Sequence, residues 1–478
     1  MQNLVEYIAD SIGGGVGQND KKVDKEVEAK LAQTIANVCN RKNFRFGNGY
    51  IMAFDGKAYQ LLTDKEVESL VVEVLERKEV GSVYVVNSIT AIRKHLERKI
   101  TREYKPQKNL ISFDNAILDM DTGMTFIHDE RFETNIRMNY DYDPKAQCPL
   151  FMKFLREVLP NGEFIRTLQE FVGALFINRK QFKIENILFL IGTGQNGKGV
   201  FGEAIQNMLG PGNYTSFSVE RLVRSADKAS NIASMNGKLA NICLDMSKGD
   251  VSGGDFKTIV SGEDIEARFQ YGRSFKATEL PLIIANVNEM PVTTDHTFGH
   301  HRRPLPIPFN VTISNENKDV ELPAKLRAEV SGIFNWAFEG RQRFIRNEGK
   351  FTEGQGIRFE KEKIRVESNS VLQFLAVKEY SSKRSDGARE LFITNAEFYR
   401  EYEEFCRNYG KKNMFERINM GKILSQEGFI PVRKANGRGY KVFEGGKQYA
   451  VVPELEVDVV DQAVKSNDII GDELDLPF

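Results

Sequence analysis

The residues with the clearest capacity for chemistry form a short glycine-rich loop that ends in a lysine. Glycines let backbone N–H groups converge on an anion, and a lysine at the end of the loop can reach the outer phosphates of a nucleotide as a point charge. The pattern therefore predicts a nucleoside triphosphate site, for ATP, made of Gly192, Thr193, Gly194, Gln195, Asn196, Gly197, Lys198, Gly199 and Val200. A glycine-rich turn without a ligand is the alternative, because Gly199 stands where the usual loop carries a serine or threonine hydroxyl for magnesium.

The segments on either side of this loop have the periodicity needed to position it. Residues 187–191 form an uninterrupted apolar run, which is typical of a strand buried on both faces. Residues 200–208 carry apolar side chains at helical spacing, and Gly210 ends the predicted helix. This order places the loop at a helix N-terminus, whose positive end favours a phosphate.

Polar residues follow two further predicted strands. The run 239–244 ends at Asp245, and an acid at the carboxyl end of a parallel strand can hold Mg²⁺ beside the phosphate loop. The alternative is an aspartate that only caps the next turn. Met246 occupies the place of a second, water-orienting acid, so no general base is assigned. The run 282–285 leads to Asn286 and Asn288, and an amide there could position the attacking water or sense the γ-phosphate.

Two basic segments extend the predicted site. After a helix that ends near residues 261–262, the sequence predicts a hairpin with its turn near residues 272–273, which interleaves aromatic residues with Arg268, Arg273 and Lys276. Such a hairpin suits single-stranded DNA because cations track phosphates and rings stack on bases, although an ordinary solvated hairpin is the alternative. Further along, Arg302 and Arg303 precede an apolar strand, and they predict an arginine supplied to the nucleotide of a neighbouring subunit, where it neutralises transition-state charge.

The C-terminal part predicts a small separate domain and a tail. Helical periodicity over 371–380, 395–409 and 414–427 is followed by a hairpin over 429–443, which together indicate a winged-helix domain. The basic residues of the hairpin would face DNA phosphates, unless the domain only packs on a partner protein; they are Arg433, Lys434, Arg438 and Lys441. The acidic segment from Val451 to Phe478 predicts a disordered tail that either solubilises the chain or recruits a primase or replication factor.

Bulk composition limits the function classes. The chain has 478 residues and a net charge of −1, so any contact with nucleic acid has to come from local basic patches. Four cysteines without paired spacing favour a reducing compartment and disfavour a zinc ribbon. No apolar run approaches the length of a membrane span, and the N-terminus does not have the pattern of a signal peptide. We therefore expect a soluble, intracellular protein without a membrane partner.

Taken together, the blocks resemble the helicase part of phage, plasmid and poxvirus primase-helicases, which are AAA+ proteins of superfamily 3. The resemblance covers roughly residues 105–445, and the order of the blocks is more specific than any one of them. The matching blocks are 111–119 and 139–144 in the lead-in region, 192–198 in the nucleotide loop, 256–264 with 267–268, 288–291 at the sensor, and 302–303 with 307–309 at the arginine finger.

The resemblance implies an α/β fold with an AAA+ (P-loop) ATPase core, a mixed N-terminal region and a C-terminal winged-helix domain. The domains expected are 1–145, a helical collar 146–180, the ATPase 181–350, a helical connector 351–370, the winged helix 371–446 and the tail 447–478. The resemblance also makes Asn288 the expected sensor amide in place of Asn286.

The function implied is an ATP-driven replicative DNA helicase, a hexamer that translocates on single-stranded or forked DNA. The alternative is a nucleotide-dependent DNA clamp or origin-binding initiator with little hydrolysis, which Gly199 and Met246 favour. A packaging or partition motor is a third possibility, disfavoured by the winged-helix end.

Overall fold

The computed structural model describes residues 25–41, 43–47, 50–77, 82–246, 254–270, 272, 274–291, 302–314, 316, 318–411, 414–435, 437–445 and 449. Arg273, residues 292–301 and the predicted tail 447–478 apart from Tyr449 lie outside this part of the chain. The described residues fall into two compact units. The first draws on Met1–Ser247, Gly253–Asn288 and Phe309–Thr352, and the second on Lys248–Ser252, Glu289–Pro308 and Glu353–Phe478.

The first unit begins with a small domain of three helices and one antiparallel sheet. Its elements are α1 (Lys25–Arg41), β1 (Phe44–Gly47), β2 (Tyr50–Phe54), β3 (Tyr59–Leu62), α2 (Asp64–Arg77) and α3 (Ser82–Lys99). The sequence over 46–62 predicts a strand pair with its turn at Asp55 and Gly56. The structure confirms it, since Gly56 has a φ of +98° and the Asp55 carboxylate accepts from two backbone N–H groups at 2.9 Å. The amphipathic faces of the helices bury one apolar core against the sheet.

A second antiparallel sheet and two long helices connect this domain to the loop region. The elements are β4 (Leu110–Ser112), β5 (Ile117–Asp119), β6 (Thr125–Phe126), α4 (Pro149–Val158), α5 (Gly162–Ala174) and α6 (Arg179–Phe182). The predicted break between α4 and α5 is confirmed, because Asn161 ends the intervening turn and its side chain accepts from Glu163 N at 3.0 Å.

A parallel sheet with helices around it forms the centre of the first unit. It comprises β7 (Ile187–Ile191), α7 (Lys198–Leu209), β8 (Tyr214–Thr215), α8 (Val219–Arg224), α9 (Lys228–Met235), β9 (Ala240–Cys243), α10 (Gly254–Ser261), the hairpin β10 (Ile265–Arg268) and β11 (Ser274–Ala277), and β12 (Leu282–Val287). Within the sheet, β12 lies between β7 and β9 and is parallel to both. β8 pairs in parallel with β9 on the side away from β12. The three apolar runs are therefore confirmed as buried parallel strands.

The last part of the first unit corrects one prediction. The sequence predicts one helix over 326–344, but the chain forms α11 (Leu322–Arg327) and α12 (Val330–Arg346) with a break at Ala328 and Glu329. At the break, the Glu329 carboxylate accepts from the backbone N–H groups of Leu150 and Phe151 at 3.0 and 2.9 Å. It thereby satisfies free donors in the first turn of α4, a tertiary contact that periodicity does not encode.

The second unit contains β13 (Pro304–Pro308), α13 (Gln355–Glu367), α14 (Ser370–Val377), β14 (Tyr380–Ser381), β15 (Arg389–Thr394), α15 (Asn395–Asn408), α16 (Arg417–Gln426), β16 (Pro431–Lys434) and β17 (Gly437–Glu444). The last four strands form one antiparallel sheet in which β17 pairs with β14, β15 and β16. Tyr380, predicted to end a helix, instead opens β14 because it pairs with Glu444. Rings at 3.6-residue spacing on α15 fill the core under this sheet, among them Phe398, Tyr402 and Phe405.

Candidate functional site: a glycine loop at the edge of a parallel sheet

The glycine loop joins β7 to α7 through a backbone path that requires glycine at two positions. Gly194 has a φ of +114° and Gly197 a φ of +87°, and Gln195 between them is also left-handed at +47°. Residues with side chains seldom adopt this region, so both glycines serve the turn itself. Alternation of right- and left-handed residues is the geometry that forms an anion-binding concavity, and here it lies at the N-terminus of a 12-residue helix.

The loop is held in place by hydrogen bonds at both ends. Gly192 N donates to Val287 O at 3.1 Å, and Asn196 Nδ2 donates to Phe309 O at 3.1 Å. Gln195 O accepts from Ile313 N at 2.8 Å. A Cβ on Gly192 would lie 2.2 Å from Asn196 Nδ2, so only glycine fits beside that brace. The loop is thus pre-organised by two segments of the first unit, the end of β12 and residues 309–313, and Asn196, predicted as a nucleotide contact, has a bracing role in this structure.

Lys198 begins helix α7 and is 7% exposed. Its ammonium donates to the carbonyl of Gly192, at the other end of the loop. Burial lowers the pKa of Lys198 because the charged form loses hydration. The Lys198 side chain therefore bridges the two ends of the loop. If a nucleotide enters, its ammonium has to give up the hydrogen bond to the Gly192 carbonyl in order to bind a phosphate oxygen.

Gly199 and Val200 complete the first turn of α7. Gly199 is exposed, has ordinary helical backbone, and a Cβ built on it meets no atom within 4 Å. Unlike Gly192, Gly194 and Gly197, this position therefore has no steric or conformational need for glycine. Because residue 199 is a glycine, the first turn of α7 has no hydroxyl where nucleotide loops usually carry one, and the space beside residue 199 is open.

The acid and amide candidates come together at the carboxyl edge of the sheet. Asp245 follows β9 and Asn288 follows β12, and both are exposed. Asn286, by contrast, lies within β12 and is 4% exposed. A backbone hydrogen bond of 3.1 Å from Met246 N to Asn286 O ties the two strand ends together. Parallel strands thus bring the glycine loop, one carboxylate and two amides to one edge, as the sequence predicts.

Of the two arginines before β13, Arg302 is exposed and Arg303 is 6% exposed. Both arginines belong to the second unit.

The β10–β11 hairpin carries its predicted cations, but not all of them project freely. Arg268 is exposed and is paired across the hairpin with Ser274. Lys276 Nζ lies 2.9 Å from an Asp264 carboxylate oxygen, and Lys180 contacts the same carboxylate. Hydrogen bonds from Lys180 and Lys276 hold the pKa of Asp264 at about 2, so this carboxylate stays ionised and pairs with Lys276.

The tip of this hairpin contacts the N-terminal domain. The ring of Phe269 lies edge-on to Tyr50 at 5.2 Å between centroids, and it stacks on Phe275 at 5.7 Å. These rings line a cavity of about 960 Å³ within the first unit. Two of the aromatic residues proposed for base stacking are therefore engaged with protein rings here.

The basic residues of the β16–β17 hairpin divide between its two faces. Arg433 is opposite Arg438, and alternation along the strands puts Lys434 and Lys441 on the other face. Lys434 Nζ lies 4.7 Å from the Phe392 ring centroid, and Lys441 pairs with Glu390 at 2.9 Å. All four are exposed, and they are divided between the two faces of the hairpin.

Two family models match parts of the chain. Residues 21–160 match a family described as D5 N terminal like, and residues 190–303 match a family of unknown function (DUF5906). The first match covers the N-terminal domain through α4 and supports a relationship to phage-type primase-helicases. The second extends from the end of β7 through the glycine loop to Arg303, and so contains the whole candidate site of the first unit.

Several solved structures align with this chain at low similarity. The apo A form of the NrS-1 C-terminal region covers 89% of this chain and 100% of its own, with a TM-score of 0.45 and 11% identity. A structure titled SCCmec type IV Cch, active helicase, covers 83% of this chain and 90% of its own, with a TM-score of 0.38 and 12% identity. A likeness at this level carries no information on the residues or activity of this chain. Within the described residues, no helix combines the length and apolarity that a membrane span requires.

Proposed function

We propose that this protein is an ATP-driven DNA helicase that acts in the replication of a phage or another mobile element. The observation that carries the proposal is the loop 192–198, where two left-handed glycines and a buried lysine form a braced anion cradle at a helix N-terminus. The D5 N terminal like match over 21–160 supports the choice of a replication protein. The expected setting is the cytoplasm of a bacterial host.

The chemistry assigns a role to each group at the sheet edge. Lys198 would bind the outer phosphates, and Asp245 would hold Mg²⁺, which commonly binds proteins through one or two carboxylates and the substrate phosphates. The exposed position of Asp245, at the sheet edge where the loop also lies, suits this role. Asn288 is the sensor amide that the resemblance to superfamily 3 AAA+ proteins implies.

A hexameric ring is part of the proposal because an arginine finger acts on the nucleotide of a neighbouring subunit. Such an arginine has to be at the surface, so exposed Arg302 is favoured over buried Arg303. The primase or replication factor expected at the acidic tail remains a proposed partner.

Single-stranded DNA would contact the β10–β11 hairpin and the second unit. Arg268 is the hairpin cation best placed for it, because Lys276 shares Asp264. The helices α14 to α16 with the β16–β17 hairpin have the element order of a winged-helix domain, and Arg433 with Arg438 offers paired cations to a phosphate backbone.

A second candidate function is a nucleotide-dependent DNA clamp or origin-binding initiator with little hydrolysis. Two observations favour it. No hydroxyl is present at Gly199, although there is room for one, and the Met246 side chain is 6% exposed, so the position of a second acid is occupied by a core residue. Both features weaken magnesium and water positioning without affecting nucleotide binding.

DNA-stimulated ATP hydrolysis separates the two candidates. We expect the full chain to hydrolyse ATP faster with single-stranded DNA, and Lys198→Ala to lose nucleotide affinity and hydrolysis together. Lys153→Ala is the matched control, because Lys153 is 72% exposed and distant in the chain from the loop. Thermal unfolding of each variant checks that the fold is retained. Near-normal turnover in Lys198→Ala would contradict the assignment, and tight nucleotide binding without turnover in the unmodified chain would favour the clamp.

A further inference from the structure

The β10–β11 hairpin has two chemically different sides. Residues that are directly opposite in an antiparallel pair project to the same side, and successive residues alternate between the sides. One side is polar and exposed, and consists of Glu266, Arg268, Ser274 and Lys276. On the other side, half-buried Phe275 is opposite Ala267, which is fully buried, and the ring of Phe269 stacks on Phe275. The hairpin therefore separates its cations from its rings.

The ring side of the hairpin lies against the N-terminal domain at Tyr50, the first residue of β2. The rings of Tyr50 and Phe269 meet edge to face, with 5.2 Å between their centroids and 86° between their planes. A Cβ built on Gly272 would lie 2.7 Å from the Tyr50 hydroxyl, so the tip of the hairpin passes directly beside this group. Burial raises the pKa of Tyr50, as expected for a phenol partly enclosed by this contact. Tyr50 thus contacts the hairpin tip at two points.

The base of the hairpin is held by other residues. The Asn236 side-chain oxygen accepts from Thr278 N and Glu279 N, each at 3.0 Å, where the chain leaves β11. The Arg179 guanidinium donates to Val260 O, in the helix that leads into β10. Both ends of the hairpin are therefore fixed independently of Tyr50, and the ring contact determines the position of the tip.

We propose that the N-terminal domain positions the hairpin for single-stranded DNA through Tyr50, which rests on the proposed function. Docking of the ring side on Tyr50 leaves the polar side, with Arg268, open to a DNA strand. Tyr50 is a positioning residue and acts on DNA only through the hairpin.

The energetic reason lies in the small size of the hairpin. Each of its strands has four residues, and an isolated two-stranded hairpin of this size is only marginally stable in water. A tip that is already fixed loses less conformational entropy when DNA binds, so docking raises the affinity without adding a contact to DNA. This role also differs from base stacking, in which Phe269 would contribute to DNA binding independently of Tyr50.

The test measures binding of a labelled oligodeoxythymidine to the full chain and to four variants. These are Tyr50→Ala, Tyr50→Phe, Phe269→Ala and the double variant Tyr50→Ala/Phe269→Ala. Tyr50→Ala is expected to weaken binding roughly twofold to tenfold, the factor that corresponds to one aromatic pair. Tyr50→Phe keeps the ring and is expected to bind like the unmodified chain. The double variant is expected to lose no more than the larger single loss, because both substitutions remove the same contact.

Two further measurements separate positioning from direct contact and from general destabilisation. Tyr50→Ala is expected to keep the salt dependence of DNA binding, because no phosphate contact is lost, whereas Arg268→Ala is expected to lower the slope by about one. Phe54→Ala is the matched control, since Phe54 ends the same strand, is half-buried, and pairs at 5.5 Å with Tyr59 of its own domain. It is expected to lower the thermal unfolding midpoint and to leave DNA affinity unchanged.

Each contrary result has a separate meaning. If the unmodified chain binds DNA and Tyr50→Ala binds it equally well or more tightly, the inference is overturned and the proposed function stands. Additive losses in the double variant would also overturn it, because Phe269 would then act on DNA itself. A loss of affinity in Phe54→Ala equal to that in Tyr50→Ala would assign the effect to destabilisation of the domain. An unmodified chain without affinity for single-stranded DNA overturns the proposed function, and the role of Tyr50 with it.

Discussion

Gly199→Ser restores a hydroxyl at the position where nucleotide loops of this kind hold magnesium. The structure permits the change, since Gly199 has helical backbone and a Cβ there meets no atom within 4 Å. Replacing glycine inside a helix also removes a conformational cost of about 0.5–1 kcal/mol relative to alanine. The variant is therefore expected to fold at least as well as the unmodified chain.

The expected gain in magnesium affinity can be bounded. Magnesium usually keeps several waters, so the hydroxyl exchanges with one of them and gains about as much as an ordinary hydrogen bond, ~0.5–1.5 kcal/mol. That range corresponds to roughly a twofold to tenfold decrease in the magnesium concentration for half-maximal hydrolysis. The assay is a magnesium titration of DNA-stimulated ATPase at fixed ATP.

Gly199→Ala is the matched control, because it adds the same Cβ without the oxygen. We expect it to gain thermal stability and to keep the magnesium dependence of the unmodified chain. If Gly199→Ser and Gly199→Ala have the same magnesium dependence, residue 199 does not face the ion, and the placement of magnesium between the loop and Asp245 is wrong.

Two further predictions concern the loop and the hairpin. At Gly197 the φ is +87°, and a Cβ would lie 2.9 Å from the Phe154 ring, so Gly197→Ala is expected to lower the unfolding free energy by about 2–4 kcal/mol. At Gly194 the φ is +114° but the space is open, so Gly194→Ala is expected to lose only the backbone contribution of ~1–2 kcal/mol. Chemical denaturation measures both, and equal losses would refute the packing argument. Asp264→Asn releases Lys276 and is expected to tighten single-stranded DNA binding severalfold at low salt, an effect that shrinks as salt rises; unchanged affinity in a binding titration would show that Lys276 does not contact DNA.

Sequence patterns predicted the central elements because local signals and tertiary structure agree there. The run 187–191 is apolar throughout and is buried throughout except for Ile191 at its end, and Gly210 ends α7 with a φ of +75°. The same agreement holds for the hairpin around Gly56. A local pattern is sufficient where consecutive residues determine both the burial and the backbone conformation of a segment.

The errors arise where contacts distant in sequence decide the structure. The break before α12 depends on Glu329 reaching α4, and the strand at Tyr380 depends on a partner 64 positions later, at Glu444. The register partner of Lys441, Phe392, and its ion-pair partner, Glu390, likewise come from β15, a strand that the sequence did not indicate. The contact of Lys441 with DNA phosphates stays a prediction.

The amides show a different limit. Asn286 and Asn288 are two residues apart, and no sequence pattern distinguishes a buried amide from an exposed one when the strand boundary is uncertain by two residues. Only the extent of β12 to Val287 shows that Asn286 is enclosed and Asn288 is not. Among the described residues, none donates a hydrogen bond to the buried side-chain oxygen of Asn286, and the sequence contains no signal for this, because hydrogen-bond satisfaction depends on all surrounding segments.

The account depends most directly on whether a nucleotide at the glycine loop drives strand separation. The decisive measurement is displacement of a labelled strand from a forked DNA duplex by the full chain, with ATP or a non-hydrolysable analogue, compared with Lys198→Ala. The account predicts displacement by the unmodified chain with ATP only, and none by the variant. Equal displacement with the analogue, or by Lys198→Ala, would contradict it.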